Sequence, residues 1–355
     1  MLKTLVSFST AIILAAFVCT ASAQTPDLDF LNHDHPILDA HNCYPYDGRW
    51  NDRVERALRS GFPVSIEQDL AWYVDPQTGK GRVVVSHTPT PTGAEPTLRA
   101  YFFQQVKPVI EKAIAQNHPK DWPIIVLHFD FKDNQPALLD AVWQLLGEYE
   151  PWLSTAVKTS DPYHLSPMDR KPILAITEAS DEQQKVFYDQ VPVGAKLRIF
   201  GSAHDPVVPS GLSIQQRMHW AATASPDELL HERPTNYRRW ANSSWYPVEE
   251  GGQNHAGDWT QADDARLRDL VDHAHKLGFW IRFYTLDGFA PEADQGWGQY
   301  YNFGSMQAAE LRWRAAIAAG VNFVATDQYE DLARYMKQYA KDLRPNTATA
   351  AKPAP

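Results

Sequence analysis

Short apolar runs at 37–41, 64–70, 83–86, 124–132, 172–177, 197–201, 279–286 and 322–327 alternate with segments of helical character. The helical segments are predicted at 52–60, 97–117, 136–149, 262–277 and 306–319. Gly61, Gly278 and Gly320 follow three of them, where a left-handed C-terminal residue belongs. Strand and helix alternating over about 300 residues imply a parallel α/β architecture, and this length suits one (β/α)8 TIM-type barrel. An open doubly wound sheet is the alternative. The stretch 203–260, rich in Trp, Pro and polar residues, is predicted to carry long loops.

The ends read differently. Met1-Leu2-Lys3, an apolar run to Val18 and Ala21-Ser22-Ala23 form the pattern of a cleaved secretory signal peptide. The expected organisation is therefore a signal peptide over 1–23, one barrel over 24–343 and a disordered tail over 344–355. A secreted or periplasmic location follows, with no membrane-spanning segment after cleavage. Only Cys43 of the two cysteines then remains, so no internal disulfide is available. A hydrophobic fraction of 44% excludes a disordered chain. The net charge of −10, with no basic block, argues against a nucleic-acid partner.

Several strands carry an anomaly. A buried parallel strand should be nearly all apolar. The run at 64–70 instead alternates, with Ser65, Glu67 and Asp69 on one face. The run at 124–132 begins apolar and then shows His128, Asp130 and Lys132 on one face, while the first run carries Asp39 and His41. Each is apolar where it starts and ionisable where it ends. In a barrel these ends converge at the C-terminal mouth, where active sites sit.

Glu67 and Asp69 point the same way, and such a pair is tolerable in a low-dielectric site if a cation lies between its members. Asp130 is a natural third oxygen ligand, and hard oxygens suit Mg²⁺ or Ca²⁺. His41 and His87 end strand-like runs and could serve as acid and base. Lys132 offers a fixed positive charge for a phosphate oxygen. Trp280, Arg282 and Tyr284 share a strand face, Arg282 as an anion contact and the aromatics as an apolar wall. Bland readings stand beside these: acids on a solvated hairpin edge, Lys132 paired with Asp130, Arg282 paired with a structural acid. His33-x-His35 precedes the first strand and reads as part of an N-terminal segment.

The order of these residues resembles the phospholipase C-like phosphodiesterase superfamily. That group includes phosphatidylinositol-specific phospholipases C, glycerophosphodiester phosphodiesterases and spider-venom-type sphingomyelinases D. Ala40-His41-Asn42-Cys43-Tyr44 resembles the opening of calcium-dependent phospholipases C. Ala57-Leu58, Gly61, Ser65-Ile66-Glu67 and Asp69-Leu70 resemble the paired-acid segment, and Val85-Ser86-His87 the second-histidine segment. Phe129-Asp130-Phe131-Lys132 is similar to the acid–lysine strand. Tyr284-Thr285-Leu286-Asp287 and Gly320 to Asp327 resemble the closing segments more weakly.

The resemblance implies a distorted TIM barrel with one divalent cation, Ca²⁺ or Mg²⁺. It implies Glu67, Asp69, Asp130 and the Asn42 amide as its ligands, His41 and His87 as the catalytic pair, and Lys132 at the phosphate. It implies a phosphodiester substrate, with phospholipid at a membrane surface among the candidates. Asn42 stands where glycerophosphodiesterases have arginine, and Asp130 is shorter than the usual glutamate. A metal-dependent amidohydrolase would need His-x-His at the end of the first strand, where Asp39-Ala40-His41 stands. A carbohydrate-active barrel would give His41 and His87 no role.

Overall fold

The computed structural model describes residues 30–31, 36–45, 50–288 and 301–342. The signal-peptide residues, His33, His35 and the tail lie outside them. Parallel strands β1 (Ile37–Ala40), β2 (Val64–Val74), β3 (Ile125–Phe131), β4 (Ile173–Thr177), β5 (Phe200–Gly201), β6 (Trp240–Ser244), β7 (Trp280–Tyr284) and β8 (Phe323–Thr326) pair in that order. β8 pairs back onto β1 through Ile37 opposite Phe323. The remaining seam, β5 to β6, is closed by a bridge between Ser202 and Trp240 and by Ala203 N–H donating to Trp240 O at 2.7 Å. The sheet is thus a (β/α)8 barrel, and the doubly wound alternative falls away.

The helices are α1 (Arg53–Ser60), α2 (Gln104–Gln116), α3 (Pro136–Glu148), α4 (Asp181–Gln184), α5 (Ile214–Thr223), α6 (Pro226–Leu229), α7 (Gln261–Leu277), α8 (Met306–Ala319) and α9 (Tyr329–Asp342). Their ends follow local chemistry. Pro136 opens α3, where its missing N–H costs nothing. Thr260 and Asp263 form a reciprocal capping box at the start of α7. Gly278 and Gly320 take φ of 99° and 81° after α7 and α8, as the left-handed cap requires. Gly61 instead leaves α1 with ψ near −177°, so it turns the chain without a left-handed cap.

Two expected strands sit differently. The run at 83–86 is not a barrel stave. β2 outruns the barrel, and Gly81–Val85 folds back on it antiparallel, with Leu70 opposite Val85 and Val74 opposite Gly81. The run at 197–201 splits, because Lys196–Leu197 joins a separate three-stranded sheet with Thr155–Val157 and Met168–Asp169. A barrel strand also lies inside the expected loop region. β6 reads Trp-Ala-Asn-Ser-Ser, apolar only at its entry, so its sequence lacks the run that marks a stave.

Val, Ile, Leu, Phe and Trp side chains from strands and helices form one continuous core, in which Trp240, Trp245 and Trp313 are fully buried. Cys43 is enclosed in it. Burial pushes its thiol up to about 12, so the reactive thiolate is suppressed. In a chain lacking residues 1–23, a thiol reagent at pH 8 should label less than one tenth of Cys43 within an hour in the native protein, and all of it in denaturant. Rapid native labelling would place Cys43 at the surface. Among the described residues no helix is long and apolar enough to cross a membrane.

Candidate active site

The barrel pleat turns Glu67 and Asp69 of β2 inward, and in the register between β2 and β3 they lie opposite His128 and Asp130. One carboxylate oxygen from each of Glu67, Asp69 and Asp130 falls within 4.8 Å of the other two. Glu67 and Asp69 are buried, and Asp130 opens to the mouth. Lys132 Nζ donates to Asp69 Oδ2 at 2.8 Å and to Asp130 Oδ2 at 2.6 Å, so the lysine is paired here with both acids. Burial, with repulsion from Asp130 and Glu67, still pushes Asp69 up to about 6 against the His87 hydrogen bond and the Lys132 charge. Three carboxylates face one ammonium here, so negative charge exceeds what Lys132 balances. Three convergent hard oxygens with surplus charge fit a divalent cation of the Mg²⁺ or Ca²⁺ type.

His41 and Asn42 leave β1 at its C-terminal end. Asn42 takes φ of 52°, a left-handed conformation that asparagine tolerates better than most residues. That turn aims its backbone N–H at Glu67 Oε2, 2.8 Å away, and its side-chain nitrogen at Asp327 Oδ1, 3.0 Å away. Its side-chain oxygen accepts from Tyr44 OH at 2.7 Å. As a metal ligand it would have to share that oxygen with the phenol.

His41 Nδ1 lies 2.9 Å from Asp327 Oδ1, just beyond β8. A carboxylate can only accept, so His41 Nδ1 donates to Asp327 Oδ1, with the Asn42 side-chain nitrogen also 2.8 Å from Nδ1, and Nε2 faces Glu67 Oε2, 3.6 Å away. Burial alone would lower the His41 pKa, but Glu67 and Asp327 together hold it up at about 9. Asp327 in turn receives its place from Asp287, which accepts the Asp327 N–H at 2.8 Å and the Thr326 hydroxyl. Replacing Asp327 with asparagine should lower turnover roughly 10²–10⁴-fold, because the imidazole loses its fixed tautomer and orientation. Turnover equal to wild type in Asp327→Asn would detach this acid from His41.

His87 reaches the site by the hairpin. Ser86 N–H donates to Asp69 O at 2.9 Å and carries the next residue over the mouth. Its Nδ1 faces Asp69 Oδ2 at 2.7 Å and Tyr44 OH at 2.9 Å, and its ring stacks on Tyr44 with centroids 5.5 Å apart. The two histidines differ in access, with side chains 18% exposed for His41 and 55% for His87.

Arg282 and Trp280 depart from the sequence expectation. Arg282 is fully enclosed, and its guanidinium donates to Asp39, to Asn242 Oδ1 at 3.0 Å and to Glu67 Oε1 at 3.3 Å. Its charge is spent inside the barrel, so it holds the acids in place rather than meeting an incoming anion. Trp280 opens β7 at the far end from the mouth and packs on Phe30, with ring centroids 6.2 Å apart. Of the proposed wall only Tyr284, at the outgoing end of β7 and partly exposed, lies on the mouth side. Glu178, just past β4, and Asn242 of β6 were missed. For Glu178 the signal was the same as elsewhere, a polar residue just past an apolar strand, whereas Asn242 lies inside a run with only two apolar residues.

No family model matches this chain, and no curated protein does. Solved structures it is similar to include a glycerophosphoryl diester phosphodiesterase from Parabacteroides distasonis, 13% identical, with 88% of this chain and 90% of the other covered and a TM-score of 0.40. A candidate glycerophosphoryl diester phosphodiesterase from Silicibacter pomeroyi is also 13% identical, over 88% of this chain and 96% of the other, with a TM-score of 0.38. A Plasmodium falciparum HPPK-DHPS triple mutant with pteroate is 9% identical, over 87% of this chain and 49% of the other, with a TM-score of 0.43. Likeness at this level assigns no chemistry. Fold and side chains together define a (β/α)8 barrel whose C-terminal mouth gathers three carboxylates, a lysine and two carboxylate-bonded histidines.

Proposed function

We propose that this protein is a cation-dependent phosphodiester hydrolase of the phospholipase C-like type. The observation that carries the reading is the convergence of Glu67, Asp69 and Asp130 between His41 and His87, each histidine bonded through Nδ1 to an acid. A divalent cation bound by the three carboxylates would draw charge from a phosphoryl oxygen and acidify the attacking hydroxyl. Asp327 holds the His41 proton on Nδ1, and Asp69 with Tyr44 orients His87 at the rim. One imidazole takes the proton of the attacking hydroxyl, and the other returns one to the leaving oxygen. Lys132, between Asp69 and Asp130, limits the negative charge that an anionic substrate meets. Nδ1 engagement on both rings supports this division, since Nε2 is then the nitrogen left for exchange. Export, Ca²⁺ or Mg²⁺ as the cation, and a lipid or lipid-headgroup diester as the substrate belong to the same proposal.

The expected result with bis(p-nitrophenyl) phosphate is cation-supported release of nitrophenol. Dialysis against EDTA should lower the rate roughly 10²-fold or more, with recovery on adding Ca²⁺ or Mg²⁺. Hydrolysis of p-nitrophenyl glycosides instead, or a rate indifferent to EDTA, would contradict the proposal.

A further inference from the structure

His128 is the polar side chain that the proposed chemistry leaves without work. It sits on β3 opposite Glu67 and Ile176, fully enclosed. Neither ring nitrogen has a hydrogen-bond partner. Nδ1 is 3.7 Å from Glu67 Oε1 and 3.8 Å from Asp39 Oδ2, and Nε2 is 3.6 Å from Glu178 Oε1. Buried imidazole nitrogens are normally satisfied, so an orphaned Nε2 facing the Glu178 carboxylate needs a cause.

We propose that Glu67, His128 and Glu178 form a second cation site, for an imidazole-accepting divalent metal such as Zn²⁺, beside the carboxylate site and sharing Glu67. One donor atom from each of the three lies within 4.8 Å of the other two. Two donors on one tetrahedral cation at about 2.0–2.2 Å stand roughly 3.3–3.6 Å apart, close to the gap from Nε2 to Glu178. The ring is held by Trp240, edge to face at a centroid distance of 5.1 Å. Asn242 donates to Glu178 Oε1 at 2.9 Å while accepting from Arg282, and so aims the acid at the ring. Such outer partners fix ligand orientation in metal sites. Arg282 pairs with Asp39 and Glu67, while Glu178 accepts from the neutral amide of Asn242, so Glu178 brings a carboxylate that the guanidinium does not bond. The mixed nitrogen and oxygen set separates this site from its neighbour, because imidazole suits Zn²⁺ while an all-carboxylate set suits Mg²⁺, Ca²⁺ or Mn²⁺.

The inference rests on the cation reading above only through Glu67, and metal counting separates the two. Protein stripped by chelator, equilibrated with Mn²⁺ and Zn²⁺ and desalted is analysed for bound metal per chain. The expected values are two ions in wild type, one in His128→Asn and one in Asp130→Asn, with circular dichroism reporting the fold. Zinc X-ray absorption should lose an imidazole contribution in His128→Asn but not in Asp130→Asn. If His128→Asn does not fold, Glu178→Gln makes the same test at a partly exposed position. Equal metal content in wild type and in the folded His128 or Glu178 variant overturns the second site. Metal lost in Asp130→Asn but kept in His128→Asn overturns it alone, while no metal in wild type overturns both sites.

Discussion

His41→Ala is expected to lower phosphodiester turnover about 10²–10⁴-fold, and His87→Ala to do so in the same range. Both rings are held by acids through Nδ1, so each offers a defined nitrogen to the substrate. The variants should differ in side effects. His41 is packed between Glu67 and Asp327, and its loss leaves those carboxylates facing each other with less balancing charge. His87 is more than half exposed, and its loss should leave stability unchanged while turnover falls. Cation binding, measured by titration calorimetry, should persist in both. Turnover at the wild-type level in both single variants would remove the histidines from the mechanism.

The second large effect concerns stability. Arg282→Ala should destabilise the fold by about 3–5 kcal/mol, the range for removing one partner of a buried ion pair. The guanidinium is enclosed with Asp39 and Glu67, and burial would otherwise raise the pKa of both acids. His41 and Arg282 hold Glu67 down near 2, and Arg282 holds Asp39 well below the usual carboxylate range. Without it, two acids remain buried with less compensation. A urea midpoint shifted far down with an unchanged slope is the expected record. An unchanged midpoint with a raised KM would return Arg282 to substrate binding.

Much of this frame was legible in the sequence because one physical rule recurs. Staves of a parallel barrel are apolar on both faces until they reach the mouth. Glu67, Asp69, His128 and Asp130 break that rule on two adjacent strands, and the register places them side by side. Helix limits were readable from Pro136, Gly278 and Gly320, whose preferences are local. The failures are tertiary. β6 has two apolar residues, and Trp240 gains its place from carbonyls of β4 and β5 that no periodicity displays. The run ending at His87 is as apolar in a hairpin arm as it would be in a stave, because Val83, Val84 and Val85 are all buried there. Nothing local separates an arginine aimed at a substrate from one tied to Asp39, a residue 243 positions away in the chain.

Phosphorus NMR of a panel of phosphodiesters tests the central claim most directly: glycerophosphodiesters, lysophospholipid, inositol lipid and sphingolipid, each with wild type and Asp130→Asn, with Ca²⁺, Mg²⁺ or EDTA. The account predicts that at least one diester resonance gives way to a monoester or cyclic phosphate with wild type and cation. It predicts no such change with EDTA, and at least a 10²-fold slower change with Asp130→Asn. Conversion as fast in EDTA or in Asp130→Asn, or no conversion of any diester with either cation, would contradict it.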